Sequence, residues 1–575
     1  MNPEAEISAE EDLHTRTWSP KGSGSRFMML ATSVAFFLLL VVAHISLSPF
    51  GFNPTDDGWV LAGARQVLDG RIPHRDILSP HILGSHYLHA PFTLLGDHVL
   101  WSSRAFVWFQ LGVIAWMWSG ILGRGQPAEP RPMDRLLLSV VGVMFTIHLF
   151  PIMAWTSTDA IFATVLGAWL IGRRNRLSPW GYVVLGIAPL FRQNFMLVVP
   201  GVLILLGDWR SIRSWLLAAM PSAFYLTGVA VAGGADDMWD QLTAFTFRET
   251  LHLGFSNYLS AGPVWVGLLL GTLATLLAEQ HFQRNVWRRW LAVGALIAVP
   301  ALWGIVIGAR GWSYIYQPSF LLFGFGLGGV AGQLLRTRSL GPQVRRGLTA
   351  LLVSWAVSLS LGYDTPALGL GLIVMYLLGI AWSASAGVAR GHRRAGWALA
   401  RPQFLFTLSL ALSTTVAAIM FVGARWTFIY RDLPANALTA SLGEVFPGGG
   451  GIRTNPTTYD FLQGLGEAKA LVRSLGMDYA ILPDVAVNWA TDPQPNPLPV
   501  NWPLDTELPL PELKTRVTEE LESRRGGIVV LVQRYEASLL PGGLYPLTDG
   551  IYTIVEYVQS RWQKVGDTDY FELYE

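Results

Sequence analysis

Apolar segments separated by short basic links make up most of the chain. The first runs from Phe27 to Leu47, enough to cross a bilayer, which takes roughly 20 apolar residues. Later segments centre near Val113, Val141, Leu166, Val184, Val199, Leu217, Leu269, Gly294, Phe323, Leu352, Ile373 and Leu412. Those around Leu166 and Val184 are short for full spans. Basic clusters fall between them: Arg131 and Arg135, Arg173 to Arg176, Arg210 and Arg213, Arg284 to Arg289, Arg336 to Arg346, and Arg390 to Arg394. The positive-inside rule makes that side cytoplasmic. The pattern predicts about 13 spans, with the N-terminus inside and the C-terminal tail outside.

Two stretches break the pattern. From Ser48 to Leu100 the chain is too polar to span and too apolar for an ordinary loop. Val60, Ala64, Val67 and Leu68 repeat at helical spacing, and a second run passes through Leu83, Tyr87, Leu88 and Phe92. Two interfacial helices are predicted, separated by the Gly70-Arg71-Ile72-Pro73 break. From about Arg425 the tail returns to soluble composition. Helical stretches at 467–475, 512–522 and 553–562 alternate with strand-like runs at 479–482, 528–533 and 571–574, and residues 492–511 read as a Pro-rich surface loop. The expected fold class is mostly α, a polytopic membrane protein with interfacial helices in its first outer loop and a small C-terminal α/β domain. The divisions are a disordered cytoplasmic start (1–25), a membrane domain (26–424, first outer loop 48–100) and an extracytoplasmic domain (425–575).

Composition agrees with a cell-membrane location and a lipid bilayer as solvent. Of 575 residues 51% are hydrophobic and 14% charged, with mean hydropathy +0.37, more apolar side chains than a water-facing surface can hide. A net charge of +1 gives no reason to propose nucleic acid as a partner. The absence of cysteine excludes disulfides, thiolate metal sites and a cysteine nucleophile. The acidic start, Met1 to Asp12, differs from a basic signal-peptide start, so the first apolar helix is expected to stay as an anchor.

The best functional lead is Asp56-Asp57-Gly58-Trp59, directly after the first apolar segment. Adjacent carboxylates at a membrane boundary repel each other and resist burial, which makes their protonation tunable. The competing reading is that one of them caps the helix that follows. Asp159 lies beside an apolar run, where an ionisable group is costly; it either serves a site or, with Ser157 and Thr158, caps a helix. Arg192 sits between two apolar segments, and its fork of donors suits a phosphate, unless it snorkels or pairs with Asp159. Arg310 is a second phosphate candidate in a loop with Trp312, Tyr314, Tyr316 and Gln317, whose aromatics suit either a sugar clamp or an interfacial belt. His81, His86 and His89 lack metal-ligand spacing. Mg or Mn held by Asp57 or Asp159 with phosphate oxygens is compatible with the chain, and nothing in it requires a metal.

The order Asp56-Asp57-Gly58, helix, Gly70-Arg71-Ile72-Pro73-His74-Arg75-Asp76, then Ser79-Pro80-His81 resembles the first extracytoplasmic loop of the C-type membrane glycosyltransferases (GT-C superfamily), which include protein O-mannosyltransferases and lipid A aminoarabinose transferases. His74 stands where an aromatic is common in that family. Ser157-Thr158-Asp159-Ala160 resembles the family's small-residue-Asp-Ala segment, and Phe191-Arg192-Gln193-Asn194 its basic-Gln pair. The resemblance covers the membrane portion broadly and the tail loosely. It implies inverting sugar transfer from a polyprenyl-phosphate donor to a glycan, lipid or protein hydroxyl in cell-envelope synthesis. It places Asp56 as base with Asp57 beside it, their order open to reversal, and Arg192, Gln193 and Arg310 on the donor phosphate. Asp76, His81, Asp159 and Tyr314 then support or bind substrate. A secondary transporter, or an envelope assembly protein without transferase activity, is the alternative.

Overall fold

The computed structural model describes residues 23–124, 130–147, 151–243, 247–279, 286–310, 316–359, 365–391, 402–483, 485–505, 507–534 and 552–575. It is mostly helical, and a helix covers every apolar segment named above, from Ser23–Leu47 to Pro402–Thr427. Six helices among the described residues are long and apolar enough to cross a membrane, or up to seven if Gly254–Ser260 and Gly262–Ala278, bent by 68°, form one span. Thr156–Ile171, Ser178–Phe191, Gln193–Leu206 and Leu291–Val306 are apolar but shorter. The sequence count of about 13 is higher because it includes these shorter helices together with Pro132–Ile147 and Pro342–Ser358, which are 16 and 17 residues long. Pro189 lies inside Ser178–Phe191, Arg192 then leaves the helix in an extended conformation (φ −151°), and a 3-10 turn over Gln193–Met196 restarts it.

Burial sorts the helices into centre and rim. The Ala367–Ser385 span is 94% buried inside the protein and the Arg26–Leu47 span only 22%. Phe27, Leu30, Phe224 and Val231 are each more than 60% exposed, apolar surface that a bilayer covers and water does not. At one end of helix Val99–Gly123, Arg104 reaches the first loop. At the other, Arg124 donates to Trp169 O and Arg346 to the carbonyls of Leu122 and Arg124. Arg104 and Arg124 are separated by roughly 30 Å of helix, about the thickness of a hydrocarbon core.

The tail forms a four-stranded mixed sheet. Strand Asp478–Leu482 pairs in parallel with Ile528–Gln533, which pairs antiparallel with Phe571–Tyr574, and Lys564–Asp567 closes the edge. Helices Pro456–Ser474, Pro511–Ser523 and Thr553–Arg561 cover it. The three predicted strands and the helices at 512–522 and 553–562 match these elements, whereas the first helix starts at Pro456 rather than 467 and the edge strand Lys564–Asp567 has no predicted counterpart.

The first loop is built into this domain. Phe52, Leu61, Ala62, Val99 and Leu100 share one apolar core with Phe461, Tyr479, Val487 and Leu531, while Leu78 joins the core on the sheet's other face. Helix Asp56–Leu68 is therefore buried on most sides, including Gly58, Val60, Leu61 and Ala64, rather than lying with one face in lipid. The second predicted helix is Gly84–His89 followed by a 3-10 stretch to His98, kinked at Gly96. At Gly58 the helix touches the tail so closely that a Cβ would overlap the Val487 backbone, whose N–H donates to Pro54 O at 3.0 Å. Gly58→Ala is expected to lower stability by about 1–3 kcal/mol, the usual cost of overpacking, with the drop read from thermal melting of the purified protein. Gly466→Ala, in helix Pro456–Ser474 with open space around it, is the matched control and leaves melting unchanged or raised.

Candidate functional site

The two carboxylates have separate jobs, and neither is the cap. Asn53 Oδ1 accepts from the N–H groups of Thr55 and Asp56 at 3.1 and 2.9 Å and takes the capping role. Asp57 reaches back, its Oδ2 accepting from Asn53 N at 2.9 Å, while its Oδ1 accepts from Arg104 Nη2 at 2.9 Å. Arg104 also donates to Ser48 O and Gly51 O, so Asp57 ties helix start, loop and helix Val99–Gly123 together. Asp57→Asn would strand a buried guanidinium. We expect it to cost roughly 3–5 kcal/mol, as breaking one side of a buried pair does, seen as loss of folded protein on size-exclusion chromatography.

Asp56 is 3% exposed and faces the segment after the last long helix. Its Oδ2 accepts from Tyr430 Oη at 3.0 Å and pairs with Arg431 Nη1 at 3.1 Å. Arg431 holds a left-handed backbone (φ 48°), which costs a non-glycine residue roughly 1 kcal/mol or more. Burial pushes the Asp56 carboxyl above the usual range; Arg431 and the Tyr430 hydroxyl oppose that, and Asp57 adds to it.

One turn along the same helix face, Trp59 leads to the other candidates. Its ring meets His81 and His86 edge-on at 5.7 and 5.6 Å and Trp502 of the tail at 6.2 Å. His81 lies beside Arg192. Desolvation, with the nearby guanidinium adding to it, lowers the His81 pKa to about 4, so the ring is neutral at pH 7 although partly exposed. Arg192 donates to Ser157 Oγ and makes no ion pair among the described residues. Gln193 donates to Pro80 O at 3.0 Å, fixing the loop that carries His81.

Asp159 neither caps its helix nor pairs with Arg192. Its Oδ1 accepts from Gln110 Nε2 at 2.7 Å and lies 3.2 Å from His89 Nε2, all three side chains being fully buried. Asp159 Oδ2, Gln110 Oε1 and His89 Nδ1 have no hydrogen-bond partner among the described residues.

Trp59 thus links the His81 loop, which Gln193 holds through Pro80, to the helix that begins with Asp56. The partners of Asp56 itself are Tyr430 and Arg431, and Asp159 lies two residues from the serine that holds Arg192. Asp76 stands apart: Arg75 grips it at 2.8 and 2.9 Å, and it accepts from Ile72 N, which closes the Gly70–Asp76 turn and lowers its pKa. His74, at φ 65°, anchors that turn through Gln241 and Tyr225. Tyr314 lies outside the described residues. Arg310 ends helix Val286–Arg310, and its side chain is likewise outside them.

Sequence reasoning missed Tyr430, Arg431, Arg104 and Gln110. The last two carried a signal, since polar side chains inside the apolar run 99–123 need partners. Tyr430 and Arg431 carried none, for only the folded tail brings them back over 370 residues of chain. For a cation, Asp57 does not fit, since each of its oxygens already accepts from a donor. Asp159 keeps one partnerless oxygen, but no group of three or more His, Cys, Asp or Glu suited to a metal occurs among the described residues.

Comparison of the chain with protein-family models, curated proteins and solved structures finds no match.

Proposed function

We propose that the chain is a membrane glycosyltransferase that moves a sugar from a polyprenyl-phosphate donor to an acceptor hydroxyl at the outer face, with inversion. The observation that carries it is Arg192, a guanidinium without a carboxylate partner among the described residues, joined through His81 and Trp59 to the helix that begins with Asp56. An anionic phosphate would supply the missing charge. Asp56 then takes the proton of the acceptor hydroxyl as the hydroxyl oxygen bonds to the anomeric carbon, and the opposite carbon–oxygen bond breaks onto phosphate, whose charge Arg192 offsets. Gln193 and Arg310 join the donor site on this reading, and Mg or Mn is not called on. The four shorter apolar helices, together with Pro132–Ile147 and Pro342–Ser358, bring the long spans to about 13 on this reading, with the N-terminus cytoplasmic and the tail outside. The test is transfer by purified full-length protein in proteoliposomes given a polyprenyl-phosphate sugar and a hydroxyl acceptor. No product with any donor of that class would overturn the reading.

One observation favours a second reading, a secondary transporter. Asp159, Gln110 and His89 keep partnerless polar atoms inside the helices, as an ion pathway would. Solute counterflow in proteoliposomes that is lost in Asp159→Asn and retained in Asp56→Asn would select it.

A further inference from the structure

A separate cavity of about 480 Å³ opens where the first loop meets the tail. That volume lies within the range of ligand pockets, about 300–1,000 Å³. Three guanidinium groups from three elements line it: Arg71 after helix Asp56–Leu68, Arg473 in helix Pro456–Ser474, and Arg524 at the end of helix Pro511–Ser523. One carboxylate, Asp478, lines it with them.

The three cations are not equally neutralised. Arg71 is held by backbone carbonyls, donating to Leu498 O at 3.0 Å and to Asn496 O, and makes no ion pair among the described residues. Arg473 shares Asp492 with Lys469, so two cations meet one carboxylate there. Arg524 has its own partner, Glu520, at 2.7 Å. Burial lowers the Arg71 pKa and repulsion from Arg524 lowers it further, while Asp69, Asp76 and Glu520 offset part of that. Pro493, Pro495 and Pro497 give the remaining wall a stiff backbone, and Gln494 is committed to Tyr479 O at 2.7 Å. The wall is tied to the candidate site: Asn501 donates to Gln66 of helix Asp56–Leu68 at 2.9 Å, and Trp502 packs on Trp59.

We infer that this cleft binds an acidic glycan, seating its carboxylate or phosphate groups on Arg71, Arg473 and Arg524 as a docking subsite for the acceptor. The acceptor role rests on the proposed transferase reading, whereas the binding does not. Guanidinium forks match both anions, and fixed arginines spaced around an open cleft suit a chain with repeated charges better than a single ion. Arg71 follows the far end of helix Asp56–Leu68, roughly 20 Å of helix from Asp56, a span that an oligosaccharide of several units held in the cleft could cover to reach the candidate base.

The test is direct binding to full-length protein in nanodiscs, with no donor present. The probes are an oligogalacturonate for carboxylate, a glycerol-phosphate-substituted oligosaccharide for phosphate, and a neutral dextran oligomer. At least one acidic probe is expected to bind, more weakly as salt rises, and dextran is not. The double variant Arg473→Gln/Arg524→Gln should weaken that binding by about tenfold or more, the scale of losing charge-assisted hydrogen bonds, with melting unchanged. Lys564→Gln, removing a positive charge on an outer strand away from the cleft, should leave it intact. Which acidic probe binds distinguishes carboxylate from phosphate. Failure of both, equal binding of dextran, or equal loss in the Lys564 variant would each overturn the inference. Binding here, together with no product in the proteoliposome transfer assay, would instead remove the transferase reading and keep the cleft.

Discussion

Asp56→Asn is expected to lower the rate of sugar transfer by roughly 10²–10⁴-fold while leaving the protein folded, the range lost when a general base is removed. The substitution keeps the shape of the side chain and an oxygen for the Tyr430 hydroxyl, and Arg431, 26% exposed, can turn to solvent. Asp57→Asn, by contrast, fails at folding because Arg104 is 6% exposed and loses its only carboxylate among the described residues. Measuring melting and turnover for both variants separates the adjacent residues into catalyst and strut. Wild-type turnover in a folded Asp56→Asn protein would remove Asp56 from the mechanism.

The same residue sets an expected pH dependence. Burial first, with Asp57 assisting, raises the Asp56 pKa above its unfolded value. Protonation thus favours the folded state: the ionised form costs stability above the unfolded pKa, and that cost is relieved as pH falls through the folded value. Activity has the opposite dependence, since only the carboxylate accepts a proton. The acid limb of kcat/KM should lie above the ordinary Asp range of about 3.9 and should vanish in Asp56→Asn. His81, at about 4, contributes no charge change near neutrality.

Arg192→Gln is expected to reduce kcat/KM by roughly 10²–10³-fold, comparable to removing a donor from a developing anion. Arg192→Lys should recover part of it, because charge survives while the bidentate fork does not. Stability distinguishes this from a structural role. A cation with only a serine hydroxyl as its described partner contributes little to the fold, so Arg192→Gln should melt at or above the wild-type temperature. A variant that loses activity by unfolding would instead make Arg192 a packing residue.

Much of the architecture was legible along the chain because its signals are local. Apolar windows mark the long helices of the membrane portion, and the period changes near Tyr479, Ile528 and Phe571 mark the strands. The span count was less legible, since Thr156–Ile171, Ser178–Phe191 and Gln193–Leu206 are apolar by composition but shorter than the roughly 20 residues a bilayer needs. Candidate residues followed the same division. Asp56, Asp57, Asp159 and Arg192 stand out as charges where charge is costly, but their partners are distant in sequence: Tyr430 and Arg431, Arg104, His89 and Gln110, and Ser157.

The sequence alone determined that this is a helical, largely apolar chain with an acidic loop and an α/β tail, because hydrophobic periodicity and composition act over a few turns. Only the tertiary structure decided which carboxylate is a strut and which faces the tail, that Arg192 is left without a carboxylate partner among the described residues, and that three arginines meet in a cleft. Those outcomes depend on desolvation and on charges brought together from distant segments, and both exist only after the chain has closed on itself.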